Sequence, residues 1–286
     1  MTLEYFKKHI HSQSIPFMLY GTAWKEQNTA KLTCEALQAG FEGIDTANQR
    51  KHYFEEGVGL GLQEFLKNSD KTREDLFLQT KFTFATGQDE RKPYDENATI
   101  QEQVTQSFMS SLQHLQTSHI DSYILHGPYF TVGLCHEDWE AWGAMEQLVN
   151  TKKVNFLGIS NVSFSQLQSL HQKAAIKPTF VQNRCFATQG WDKEIREFCK
   201  KHAIIYQGFS LLTANYNHLL TPLMKALVAK YNKTIPQIIF RFALQKNILP
   251  LTGTTNQQHM QDDLALNEFE LEEVELDYIE GMAEEN

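Results

Sequence analysis

Eight short apolar runs, each followed by a longer amphipathic stretch, constrain this chain more than any other feature of its sequence. The apolar runs fall at 17–20, 41–45, 76–81, 120–126, 154–159, 179–182, 203–206 and 248–251. Between them, 29–38, 55–67, 98–115, 139–151, 165–173 and 193–202 read as helices. Gly40 stops the first of these, and Glu55 and Glu56 open the second where the helix dipole favours negative charge. Residues 222–245 read as helical, with Pro236 placed where a second helix can begin. The stretch 256–286 reads as one or two acidic helices packed on the outside.

Strand–helix alternation of this kind predicts a parallel sheet, either closed into a (β/α)8 TIM barrel or left open and doubly wound. An open sheet is expected to carry a glycine-rich turn after its first strand, and Gly21-Thr22-Ala23 is not one. Gly57, Gly59 and Gly61 do not match a dinucleotide fingerprint and sit at or inside a helix, where they read as close-packing positions. The expectation is a single barrel domain spanning 1–286, an ordinary length for that fold.

A net charge of −9 disfavours nucleic acid and anionic membrane as partners. The start Met1-Thr2-Leu3-Glu4 has no secretory pattern, and no window has the apolar length to span a bilayer, so a cytoplasmic protein is expected. Cys34, Cys135, Cys185 and Cys199 form no CxxC pair, which argues against a metal site or disulfide framework.

In such a barrel the C-terminal strand ends converge on one mouth. The second strand ends at Asp45 and its loop carries Tyr53; Lys81 ends the third and His126 the fourth. Taken singly, each has an ordinary structural explanation: Asp45 as a helix cap, Lys81 as a snorkelling side chain, His126 as a satisfied core histidine. Together, on consecutive loops, they describe a coherent proton-handling set.

The chain resembles an aldo-keto reductase. The matching segments are Gly43-Ile44-Asp45-Thr46-Ala47, Asp75-Leu76-Phe77-Leu78-Gln79-Thr80-Lys81, Asp121-Ser122-Tyr123-Ile124-Leu125-His126, Gly158-Ile159-Ser160-Asn161 and the segment around Gln182. The resemblance implies NAD(P)H-dependent reduction of an aldehyde or ketone without a metal, with the family's Asp-Tyr-Lys-His tetrad falling on Asp45, Tyr53, Lys81 and His126. An ammonium beside a phenol favours the phenolate, so Lys81 is expected to lower the Tyr53 pKa while Asp45 holds Lys81 in place. His126 would polarise the carbonyl and position the substrate. The loop after Asp45 is about two residues longer than the family's usual spacing, which leaves His52 as a competitor for the Tyr53 slot.

The resemblance further implies that Ser160, Asn161 and Gln182 hold the carboxamide, that Phe209 stacks on the nicotinamide, and that Ser210, Leu211 and Leu212 form the pyrophosphate loop. Thr22 joins the cofactor set, with Gly253, Thr254, His259, Asp262 and Asp263 at the adenosine end. The slots that usually supply Lys and Arg to a 2′-phosphate hold Gly253 and His259; NADP(H) is favoured by family habit, with NAD(H) as the alternative. Trp24 is expected to form an aromatic wall, and Gly127, where the family often has Trp, to open the pocket. A monomer acting on a small-molecule carbonyl is the family default. The rival readings are a catalytically weak nicotinamide-binding regulatory or accessory protein on the same barrel, and a barrel isomerase or lyase using Asp45 and Lys81.

Overall fold

A computed structural model describes residues 15–283; the opening Met1-Thr2-Leu3-Glu4 and the last three residues of the acidic tail lie outside them. In chain order the elements are β1 (Leu19–Gly21), α1 (Thr29–Ala39), β2 (Gly43–Asp45), α2 (Glu55–Lys67), β3 (Phe77–Phe82), α3 (Ile100–His114), β4 (Ile120–Leu125) and α4 (His136–Asn150). There follow β5 (Val154–Ser160), α5 (Phe164–Lys173), β6 (Phe180–Arg184), α6 (Lys193–Lys201), β7 (Ile205–Phe209), α7 (Tyr216–Leu219), α8 (Pro222–Tyr231), α9 (Ile235–Gln245), β8 (Ile248–Thr252), α10 (Gln257–Leu264) and α11 (Glu273–Gly281). The strands pair in parallel in the order β1 to β8. The sheet closes where Leu19 faces Leu251 and Tyr20 faces Thr252. The fold is the expected (β/α)8 TIM barrel.

Element boundaries moved where local backbone chemistry overrode periodicity. Ala203, placed in a strand by its apolar neighbours, is a left-handed turn residue, so β7 starts at Ile205 and runs on to Phe209. Thr99 closes a capping box with Glu102, so α3 begins at Ile100 rather than at Ala98. The 222–245 region breaks at Asn232, whose φ of 51° ends α8; Thr234 then caps α9 through Gln237, one residue ahead of the restart expected from Pro236.

The close-packing reading of the α2 glycines holds. A Cβ on Gly59 would lie 2.0 Å from the His114 carbonyl oxygen, and one on Gly61 2.3 Å from that of Ala30. Both obstacles are backbone, so α2 can approach its neighbours only with hydrogen at these positions. The C-terminal helices dock on the outer ring. The Trp191 indole donates to the Ile279 carbonyl at 2.9 Å, and Arg196 pairs with Glu280 at 2.5 Å.

The barrel interior departs from the usual branched apolar layers. Gln79 and Lys81 on β3, Gln182 on β6 and Gln207 on β7 are all buried. Residues two apart on a strand share a face, which brings Gln79 and Lys81 to the same side of β3. No helix among the described residues is long and apolar enough to cross a membrane.

Candidate active site

The strand ends open into one cavity of about 1070 Å3. Asp45 and the Lys81 side chain form its anchored base. Lys81 Nζ donates to Asp45 Oδ1 at 2.7 Å, to Oδ2 at 2.8 Å and to the Thr46 carbonyl at 2.8 Å. Burial pulls the Lys81 pKa below the usual lysine value, and the Asp45 charge opposes that pull. Lys81 itself is completely buried, behind the cavity wall rather than in it.

Tyr53 sits between this ion pair and the histidine. Its ring centre lies 5.4 Å from Lys81 Nζ and meets the His126 ring edge-on with centroids 5.9 Å apart. The loop that delivers it turns through Gln49, whose carbonyl accepts from the Tyr53 amide at 3.0 Å. His52 occupies different ground. Its ring lies 4.2 Å from that of Trp24, and its carbonyl accepts from the Trp24 amide at 2.7 Å. Trp24 is 70% exposed, so this pair forms a rim of the cavity and Trp24 is no core aromatic. Both Tyr53 and His52 line the space, but only Tyr53 is brought against Lys81 and His126.

The expected lowering of the Tyr53 pKa is not what this environment produces. Removal from water and the facing Asp45 charge push the phenol above its ordinary value. The Lys81 charge is largely spent on Asp45, so its pull on the phenol is offset. A raised pKa keeps the hydroxyl protonated, which is the state a proton donor needs.

His126 follows β4, its amide donating to the Phe82 carbonyl at 2.9 Å. Burial, with Lys81 and His52 nearby, pushes its pKa down to about 3. The imidazole is therefore neutral at physiological pH. Thr83 Oγ1 lies 2.7 Å from His126 Nδ1. With the hydroxyl donating there, Nε2 carries the proton and can donate towards a ligand oxygen. Gly127 also lines the cavity, and a Cβ there would only reach ordinary contact with Asn161 Cβ, at 3.6 Å.

The cofactor set lies along the same cavity. Asn161, with a left-handed φ of 52°, donates to the His126 carbonyl at 2.8 Å and to Ser160 Oγ at 3.1 Å. Ser160 in turn donates to the Gln182 carbonyl at 2.6 Å. Phe209, Ser210, Leu211 and Leu212 line the adjoining wall, with the Arg184 guanidinium 5.7 Å from the Phe209 ring centre. Gly253, Thr254, His259, Asp262 and Asp263 line the far end. Asn256, however, is the residue that caps α10, and the buried Asp263 accepts from Thr252 Oγ1 at 2.7 Å. Asp263 thus has a structural partner of its own.

Thr22 is the exception. Both its amide and its hydroxyl donate to the Asp45 carbonyl at 3.0 Å, it is fully buried, and it lies outside the cavity lining. Tying β1 to β2 consumes its polar atoms, while its neighbours Gly21 and Ala23 face the cavity.

Sequence reasoning missed several residues that the fold brings in. Lys25 is buried, lines the cavity and donates from Nζ to the Gly253 carbonyl, where the usual cation is missing. It has no carboxylate partner among the described residues, and burial lowers its pKa. Gln79, inside β3, and Thr83, just past its end, were findable signals, being polar residues within two positions of Lys81. No group of three or more His, Cys, Asp or Glu side chains able to hold a metal occurs among the described residues.

The cavity's volume is at the upper end of the range for small-molecule and cofactor sites. Its lining supplies a buried cation, an aromatic face and carboxamide partners in one continuous wall. Those features fit a nicotinamide dinucleotide.

Known proteins share this sequence pattern and fold. The sequence model of the Aldo/keto reductase family matches residues 17–284. The chain is 28% identical to a glyoxal reductase of Bacillus subtilis (strain 168) over 250 residues, covering 86% of this chain and 80% of that one. It is 28% identical to a 9,11-endoperoxide prostaglandin H2 reductase of Trypanosoma cruzi (strain CL Brener) over 271 residues, covering 92% and 86%. The crystal structure of an aldo/keto reductase from Brucella melitensis superposes with a TM-score of 0.79 at 25% identity, covering 95% of this chain and 96% of the other. An aldo-keto reductase from a Medee basin deep-sea metagenome library superposes with a TM-score of 0.80 at 24% identity, covering 95% and 92%, and supports the fold. With a family match over nearly its whole length and a cavity built from the matching strand ends, this chain belongs to the aldo/keto reductase family.

Proposed function

We propose that this protein reduces the carbonyl of a small-molecule aldehyde or ketone to an alcohol, using NADP(H), with NAD(H) as the alternative, and Tyr53 as general acid. The observation that carries the reading is the meeting of Tyr53, His126 and the Asp45–Lys81 pair in one cavity with Ser160, Asn161, Gln182 and Phe209. The names of the similar Bacillus subtilis and Trypanosoma cruzi proteins describe reductions, which is consistent with it.

The nicotinamide, when bound, supplies the hydride. His126 Nε2–H would donate to the carbonyl oxygen and draw electron density from the carbon. As the new C–H bond forms, the π pair moves onto oxygen, and the Tyr53 hydroxyl proton passes to that oxygen. The phenolate left behind would lie near the Lys81 ammonium, whose stabilising pull is partly offset by the Asp45 charge, until solvent returns the proton. Asp45 keeps Lys81 charged and fixed, so this stabilisation needs little rearrangement. Asn161 and Ser160 would hold the carboxamide, Phe209 would pack on the ring, and Lys25 would supply a buried cation to the phosphates. Trp24 and His52 form the rim through which substrate enters.

The test is to titrate the protein with NADPH and NADH by fluorescence, then to follow cofactor oxidation at 340 nm against aldehydes and ketones. Saturable binding with carbonyl-dependent oxidation is expected. Binding without turnover on any carbonyl would favour the accessory-protein reading instead.

A further inference from the structure

Beneath the cavity floor, three primary amides form a closed network around Asp45. Gln79 Nε2 donates to Asp45 Oδ1 at 2.7 Å and to Gln207 Oε1 at 2.8 Å. Gln207 Nε2 returns a bond to Gln79 Oε1 at 2.9 Å. Gln182 Nε2 donates to Asp45 Oδ1 at 3.0 Å and to Gln207 Oε1 at 2.9 Å. Gln79 and Gln207 are 0% exposed, and neither lines the cavity.

The network has only one consistent orientation. Turning any of these amides over would set carbonyl oxygen against carbonyl oxygen or against the Asp45 carboxylate. Buried polar groups do not tolerate such mismatches. Both N–H bonds of Gln182 are therefore committed downward, and its Oε1 is the polar atom left for the cavity. A carboxamide NH2 placed in this cavity would meet an acceptor of fixed direction. The same amides also supply Asp45 Oδ1 with neutral donors besides Lys81, holding the carboxylate in register with the ammonium.

We propose that Gln79 and Gln207 are positioning residues that lock Gln182 as a hydrogen-bond acceptor for the nicotinamide carboxamide. Neither touches the cofactor; they act through Gln182. The inference rests on the proposed nicotinamide-dependent activity.

Substituting Gln207 alone would strand buried N–H groups of Gln79 and Gln182, and the variant could fail by unfolding. The double variant Gln79→Leu/Gln207→Leu removes the reciprocal Gln79–Gln207 pair together, which costs less than stranding one of them, and leaves Gln182 held only by its bond to Asp45. Binding is then read with two ligands, NADPH and 2′-phospho-ADP-ribose, which lacks the nicotinamide. The expected result is a loss of about fivefold to tenfold in NADPH affinity, the scale of one hydrogen bond, with phospho-ADP-ribose affinity unchanged. Equal losses for both ligands would mean a merely structural role and overturn the inference. So would unchanged affinity for both. In the single variant Gln182→Leu, which removes the acceptor itself, NADPH affinity should fall at least as far as in the double variant; a smaller fall also overturns it. Failure of the unaltered protein to bind NADPH or NADH would instead remove the proposed function, and the inference with it.

Discussion

Tyr53 and His126 face each other edge-on with ring centroids 5.9 Å apart, while His52, one residue earlier, turns away to lie against Trp24. His52 and Tyr53 leave the turn that closes on the Gln49 carbonyl with their rings against different neighbours, and Tyr53 is the one beside Lys81. The order of residues in the loop left that choice open; the loop's turn at Gln49 settles where each ring lies.

Tyr53→Phe removes the proposed donor while keeping the ring. Turnover is expected to fall by about 10²–10⁴-fold, the usual scale for loss of a general acid, with NADPH affinity retained. His52→Ala should keep most of its turnover and alter KM. Single-wavelength NADPH oxidation with parallel binding titrations separates the two; a dead His52→Ala enzyme beside an active Tyr53→Phe enzyme would reverse the assignment.

The reduction should be nearly independent of pH across the neutral range. His126, held down to about 3, is neutral at every pH above roughly 4, and Tyr53, pushed above its ordinary value, keeps its proton. Neither group changes state near neutrality. A plot of kcat/KM against pH should be flat from about pH 5 to 8; an inflection near an ordinary histidine value, about 6.5, would contradict the buried-neutral imidazole.

Gly59→Ala is expected to destabilise the fold by roughly 2–3 kcal/mol, although glycine-to-alanine in a helix normally gains up to about 1 kcal/mol. The added Cβ would fall 2.0 Å from the His114 carbonyl oxygen, forcing α2 away from the C-terminal end of α3. Gly143→Ala in α4 is the control. Nothing lies within 4 Å of its added Cβ, and it should stabilise. Urea denaturation of both variants gives the two signs.

Asp263 carries a pKa raised to about 6, chiefly by burial, with Thr252 donating to its carboxylate. A carboxyl whose folded pKa exceeds its unfolded value favours folding when protonated. Stability from this group is present below the unfolded value near pH 4 and is lost as pH rises through about 6. Asp263→Asn keeps an acceptor for Thr252 and removes the charge. It should raise stability by on the order of 2 kcal/mol at about pH 8 and leave it little changed below about pH 4. Thermal melts at the two pH values check this.

By itself the sequence determined the barrel and singled out most of the named residues that line its cavity. Alternation of short apolar runs with amphipathic ones is a local property, and parallel strands that each need a crossover helix leave few ways to bury their faces. Asp45, Lys81 and His126 were legible because each stands at or next to the end of an apolar strand, where an ionisable side chain has no packing reason to be. Strand ends were less legible: Ala203 and Asn232 are left-handed turns that apolar periodicity passes over.

What only the tertiary structure decided is how polar groups distant in the chain share one another's hydrogen bonds. Gln79 and Gln207 are 128 positions apart, yet each satisfies the other's amide inside the barrel. Lys25 reaches the Gly253 carbonyl across 228 positions. Thr22, which the family resemblance places in the cofactor set, lies outside the cavity lining and joins β1 to β2. Sequence reports which donors and acceptors exist, but burial decides which of them must be paired. That depends on neighbours brought together by barrel closure, and pairing in turn leaves Gln182 Oε1, His126 Nε2 and the Tyr53 hydroxyl without a hydrogen-bond partner among the described residues.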